Sequence, residues 1–84
     1  MTSIRCERAI PGALAKSLRD PIERAAQACG AMCSVFIYPV SRQGEVMLRV
    51  SVGQAVLPLL FRSDQLQPER VFAFVKGALA SARY

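Results

Sequence analysis

The sequence predicts an α+β fold in the order α-β-β-β-α: a three-stranded antiparallel meander packed on helices, with an extra N-terminal strand where the chain begins. Three observations predict it. The apolar period is 3.6 residues over 14–29, changes to 2 over 34–62, and returns to 3.6 over 71–82. Glycine and proline punctuate the middle stretch at Pro39, Gly44 and Gly53 and precede the last one at Pro68. No repeat, low-complexity run or linker divides the chain, so a single domain is expected over residues 1–84.

Ile4-Arg5-Cys6-Glu7 alternates apolar and charged, which suits a short first strand. From Gly12 the spacing of Leu14, Ala15 and Leu18 is helical. Asp20-Pro21-Ile22-Glu23 reads as a capping box with proline at the first helical position. Because a residue before proline avoids helical dihedrals, two helical segments are expected, over 14–19 and 21–29, with a bend at Asp20. Ile22, Ala25, Ala26 and Cys29 then form one buried stripe, and Gly30 ends the helix.

Ser34 to Tyr38 is rich in β-branched and aromatic residues, and Ser41-Arg42-Gln43-Gly44 supplies turn chemistry after it. The clearest strand follows: Val46, Leu48, Val50 and Val52 alternate with Glu45, Met47, Arg49 and Ser51, so one face is core and the other wet. Gly53-Gln54 matches a two-residue type II′ hairpin turn into a third strand from Ala55 to Arg62. Pro58 in that strand cannot donate to a ladder, which assigns the strand to an edge or a bulge. The last helix opens at Pro68 with Glu69 in its first turn, and Val71, Phe74, Val75, Ala78, Leu79 and Ala82 mark its expected buried stripe.

The α-β-β-β-α order is similar to that of the double-stranded-RNA-binding domain, which contacts RNA through its first helix, a hairpin loop and a lysine cluster opening the last helix. The resemblance covers element order. Here the last helix opens Gln67-Pro68-Glu69-Arg70 and the loop Ser41-Arg42-Gln43-Gly44 has no histidine, so those contacts do not carry over.

Composition removes most chemistry. There is no histidine, which takes away the commonest general base and metal ligand, and the six carboxylates are scattered with no paired-acid spacing. The five glycines never cluster into a phosphate loop. Cys29 and Cys33 are spaced C-x3-C, but with only Cys6 besides, a four-cysteine zinc site cannot be completed and three free thiols are expected. The expectation is therefore a protein that is not an enzyme and uses no cofactor or metal. The longest apolar run, Ala55 to Phe61, is too short to span a bilayer, and the N-terminus carries charges of both signs with no apolar core, so a cytoplasmic, non-membrane protein is expected.

What remains is binding. The formal charge is +5, from nine arginines and two lysines against six acids, and the arginine- and alanine-rich composition points to a GC-rich bacterial or phage genome. Mean hydropathy of +0.27 is high for so small a chain, which leaves apolar surface for a partner or a second copy. Two surfaces suggest themselves. The wet sheet face offers Met47 and Arg49, with Arg42 and Arg62 expected near it and Phe36 or Tyr38 as companions. The last helix offers a strip of small residues at Ala73 and Gly77. By elimination the first reading is a small protein-binding module, an adaptor or a stoichiometric inhibitor of a larger complex such as phage and mobile elements encode. The alternative is a nucleic-acid-binding protein using the arginine-bearing sheet face.

Overall fold

A computed structural model describes residues 2–82. Strand β1 (Ser3–Cys6) is followed by helix α1 (Gly12–Cys29), strands β2 (Cys33–Pro39), β3 (Val46–Val52) and β4 (Ala55–Phe61), a 3-10 turn at Ser63–Gln65, and helix α2 (Pro68–Ser81). The N-terminal strand thus joins the expected α-β-β-β-α core. The four strands lie in sequence order in one sheet: β1 pairs parallel with β2, and the others pair antiparallel. A parallel neighbour requires a crossover, and α1 provides it.

Alternation is kept along β1, β2 and β3. Val35, Ile37, Val46, Leu48 and Val50 are buried beneath the helices together with Leu18, Ile22, Val71, Val75 and Leu79, while Val52 at the strand end is half-buried. No polar or charged side chain is buried among the described residues. The β3–β4 hairpin closes through Gly53 at φ 58°, with Val52 opposite Ala55 and no positive φ at Gln54, which is the type II′ turn expected. Pro58 stands on β4, an edge strand, as its missing N–H demands. Gly30 adopts the left-handed conformation at the end of α1, and the Gly30 and Ala31 amides donate to the Gln27 and Ala26 carbonyls at 3.1 and 3.0 Å, a Schellman cap.

Two expectations are corrected. The capping box at Asp20 does not form: α1 runs unbroken from Gly12 to Cys29 with Pro21 inside it. An internal proline removes one helical hydrogen bond and costs about 3 kcal/mol. Against that, continuity puts Leu18, Pro21, Ile22, Ala25 and Ala26 on one buried face. Asp20 instead faces solvent and pairs with Arg24 one turn on at 3.0 Å. In α2 the buried stripe is rotated from the one expected. Phe74 is 51% exposed, with its ring edge-on to Phe61 at 5.5 Å, and Phe72 packs against the core in its stead. Phe72 faces α1, whose Arg24 guanidinium lies 5.3 Å from the Phe72 ring centre.

Candidate functional site

Both helices contribute to the core on one side of the sheet, and the outward positions of the strands remain open. Register sorts these positions into rows. Ser3, Ser34, Ser51 and Val56 form the row nearest the β3–β4 turn. The next row is Arg5, Phe36, Arg49 and Pro58, and beyond it Tyr38, Met47 and Leu60 lie side by side. Neighbouring strands are about 4.8 Å apart, so Arg5 and Arg49 flank Phe36 one strand away on either side. Phe36 is 39% exposed and its ring centre lies 5.4 Å from that of Tyr38, giving two adjoining aromatic surfaces along β2.

Neither Arg5 nor Arg49 is in an ion pair among the described residues. A shallow depression of about 290 Å³ is lined by Ser3, Arg5, Ser34, Phe36, Arg49 and Ser51, together with Val35. No carboxylate lines it. Glu45, which alternation alone would set on this face, lies off the strand end beside Gln43, Arg62 and Asp64. On β4 the open face turns apolar, with Val56 and Leu60 each about half exposed.

Of the residues singled out from the sequence, Met47 and Arg49 stand on this face, in adjacent rows. Arg42 is exposed in the β2–β3 loop, beyond the strand ends. Arg62 follows β4 and is held there: its side chain lies 3.7 Å from Asp64, and its backbone N–H donates to the Gln65 side chain at 3.0 Å. Ala73 and Gly77 are exposed on α2, in the helical layer, and a Cβ added at Gly77 would meet nothing within 4 Å, so nothing among the described residues packs closely on Gly77. Ala73 and Gly77 thus stand apart from the sheet face, as two separate surfaces, while Arg42 and Arg62 lie beyond the strand ends and not in the rows of the face. The sequence reading misses Arg5, although the alternation of Ile4-Arg5-Cys6 puts Arg5 on the wet face once β1 is paired parallel to β2.

The cysteines belong to the other side. Cys29 and Cys33 are buried and Cys6 is half-buried, all three free. The Cys29 thiol donates to the Lys76 carbonyl at 3.7 Å. Burial pushes the Cys33 thiol above its ordinary range despite a hydrogen bond with Thr2, and burial raises Cys6 despite the nearby Arg19 charge. Raised thiols are poor nucleophiles at neutral pH.

The arrangement defines a class: a half-covered α+β sandwich whose free sheet face carries arginine, aromatic and hydroxyl side chains. No protein-family model and no curated protein sequence matches this chain. Among solved structures it is similar to the N-terminal domain of Protein Y from Thermus thermophilus, at a TM-score of 0.54 and 10% identity, over 96% of this chain and 94% of that one. At that identity the similarity is one of fold. No helix among the described residues is long and apolar enough to cross a membrane.

Proposed function

We propose that this chain is a non-enzymatic binding module that takes single-stranded nucleic acid on its open sheet face. The observation that carries the reading is the Arg5–Phe36–Arg49 row, two guanidinium groups without an ion pair among the described residues on either side of an exposed ring. Single-strand binders combine cationic tracks with aromatic platforms in this way, because every base has a face to stack and every linkage a charge. The net charge of +5 acts in the same direction. Fluorescence anisotropy with a labelled 12-nucleotide deoxythymidine strand tests it. Binding should weaken with salt, with a slope in log affinity that falls by about 0.7 on Arg49→Ala, and Phe36→Ala should cost about 1–3 kcal/mol. Affinity indifferent to both substitutions would sink the reading.

A protein partner is the second reading, and the β4 side favours it: Val56, Pro58 and Leu60 with neighbouring Met47 make an apolar margin of the kind found at interface cores. In that case Leu60→Asp abolishes association with the partner, and neither nuclease nor moderate salt disturbs it.

A further inference from the structure

We infer that the depression beneath Arg5 and Arg49 is a phosphate subsite, formed with the hydroxyls of Ser3, Ser34 and Ser51, and that the group it takes is the phosphate of a nucleotide whose base lies on Phe36. The inference rests on the nucleic-acid reading above and adds which residues take the phosphate and which rings lie beyond them along β2.

The depression has a simple origin. Three serines stand side by side across three strands, one row from the much longer Arg5, Phe36 and Arg49 side chains, so the surface falls from the second row to the first. Serine has little intrinsic fitness for a strand compared with the valines and isoleucine that the same strands use on the core side. Each hydroxyl can donate one hydrogen bond, and none of the three bonds to another group among the described residues. Two guanidinium groups without ion-pair partners line the same hollow, and no carboxylate does. The acid closest in chain order, Glu7, donates its backbone N–H to the Ile37 carbonyl at 2.9 Å and so stands beside Tyr38, at the end of the sheet away from the serines. Donors without acceptors and positive charge without negative charge are complementary to an oxyanion, and planar guanidinium forks match phosphate in particular. A volume of about 290 Å³ lies at the lower limit of small-molecule pockets, which suits one phosphate and its sugar but not an extended ligand.

Phe36 and Tyr38 decide between sources of phosphate. They are two positions apart on β2, so both rise from the open face, with ring centres 5.4 Å apart and planes tilted by 31°. Moving along β2 from the serines, a strand meets phosphate donors, then one ring, then a second. A phosphorylated peptide would use the first of these and leave the rings idle; a nucleotide strand uses all three.

The test is an amide-resolved NMR titration of the whole chain with thymidine 5′-monophosphate, thymidine, inorganic phosphate and a phosphoserine peptide, paired with oligodeoxythymidine binding by Ser34→Asp and by Ser81→Asp. The two variants add the same charge, one in the depression and one on α2 in the other layer. The monophosphate should shift the amides of Ser34, Phe36, Arg49 and Ser51 at concentrations at least tenfold lower than thymidine requires, and inorganic phosphate should shift Ser34 and Ser51 without moving Tyr38. Ser34→Asp should weaken the oligonucleotide at least tenfold and Ser81→Asp less than threefold. Equal losses in the two variants would show that net charge alone matters and overturn the subsite. Full oligonucleotide affinity in a folded Ser34→Asp protein would also overturn it, while leaving the nucleic-acid reading intact. If the monophosphate and the phosphoserine peptide both bind in the depression but the oligonucleotide binds nowhere, the nucleotide assignment and the reading beneath it both fail.

Discussion

The two faces of the sheet are built from alternate residues of the same strands and have opposite characters. On the covered face β2 and β3 present Cys33, Val35, Ile37, Val46, Leu48 and Val50, all buried and, apart from the Cys33 thiol, all aliphatic. On the open face the intervening positions are Ser34, Phe36, Tyr38, Met47, Arg49 and Ser51, which mix hydroxyl, aromatic, thioether and guanidinium groups. Uniform apolar composition is what a close-packed interior selects, since each side chain there is fixed by volume. The mixed composition is unexplained by packing, because little packs on it. Neighbours in sequence therefore serve separate ends, and substitutions one residue apart should separate them.

Leu48→Ala is expected to have the largest effect. Leu48 is fully buried at the middle of β3, and truncation should destabilise the domain by about 2–5 kcal/mol in urea unfolding. A loss this size is a large part of the stability of any small domain. An unaltered midpoint would mean the face assignment is wrong. Arg49→Glu, one residue on, should lower oligonucleotide affinity at least tenfold, about 1.4 kcal/mol, and change folding stability by less than about 0.5 kcal/mol. If it unfolds the protein, the open face is structural after all and the contrast collapses.

The next measurement sharpens the same boundary at Cys33 and Ser34. Because burial holds the Cys33 and Cys6 thiols above the ordinary range, folding favours their protonated forms. Their contribution to stability is complete below the unfolded thiol pKa of about 8.5 and is lost as pH rises through the higher folded values. Alkylation of the folded chain at pH 7.5 should be at least tenfold slower than in denaturant, and should accelerate above the ordinary thiol range. Rapid labelling of Cys33 at neutral pH would contradict its burial. The smallest effect belongs to Leu60→Ser on the apolar margin. Leu60 is 52% exposed, so a stability change within about 0.5 kcal/mol is expected by calorimetry. A larger loss would show that the margin is held by contacts within the chain.

Much of this arrangement was legible in the sequence, for reasons that are local. The alternation of Val46 to Ser51 sorts the two faces of β3, Gly53-Gln54 marks the hairpin, Pro58 limits its strand to an edge or a bulge and Gly30 marks the helix end, since each depends on backbone dihedrals or hydrogen-bond donors that one residue type controls. The failures were tertiary. Asp20-Pro21 has the local form of a helix start, yet the buried face shared by Leu18, Pro21 and Ile22 prevailed. Phe74 fits the helical stripe by spacing as well as Phe72 does, and only the position of α1 decides between them. At the candidate site, Arg49 and Met47 were legible because β3 alternates cleanly. Arg5 was not, because its place beside Phe36 depends on a parallel pairing across the whole of α1. Arg42 and Arg62 are expected near the face from their places next to the strands, and both lie beyond the strand ends.

Pro58 bears also on how the protein behaves in a crowd. In an antiparallel hairpin closed by two residues, Ala55, Leu57, Leu59 and Phe61 direct their backbone groups toward β3, and Val56, Pro58 and Leu60 direct theirs outward. Val56 and Leu60 are apolar and exposed, and without an interruption this margin would offer a template for strand-to-strand aggregation. The pyrrolidine ring removes the central donor of that template, so a second molecule approaching edge-on finds two amides separated by a gap where the ladder should continue. Pro58→Val would close the gap, and light scattering of the concentrated variant is where self-association should first be seen. The ring thus interrupts the outer edge of β4 where the apolar margin lies.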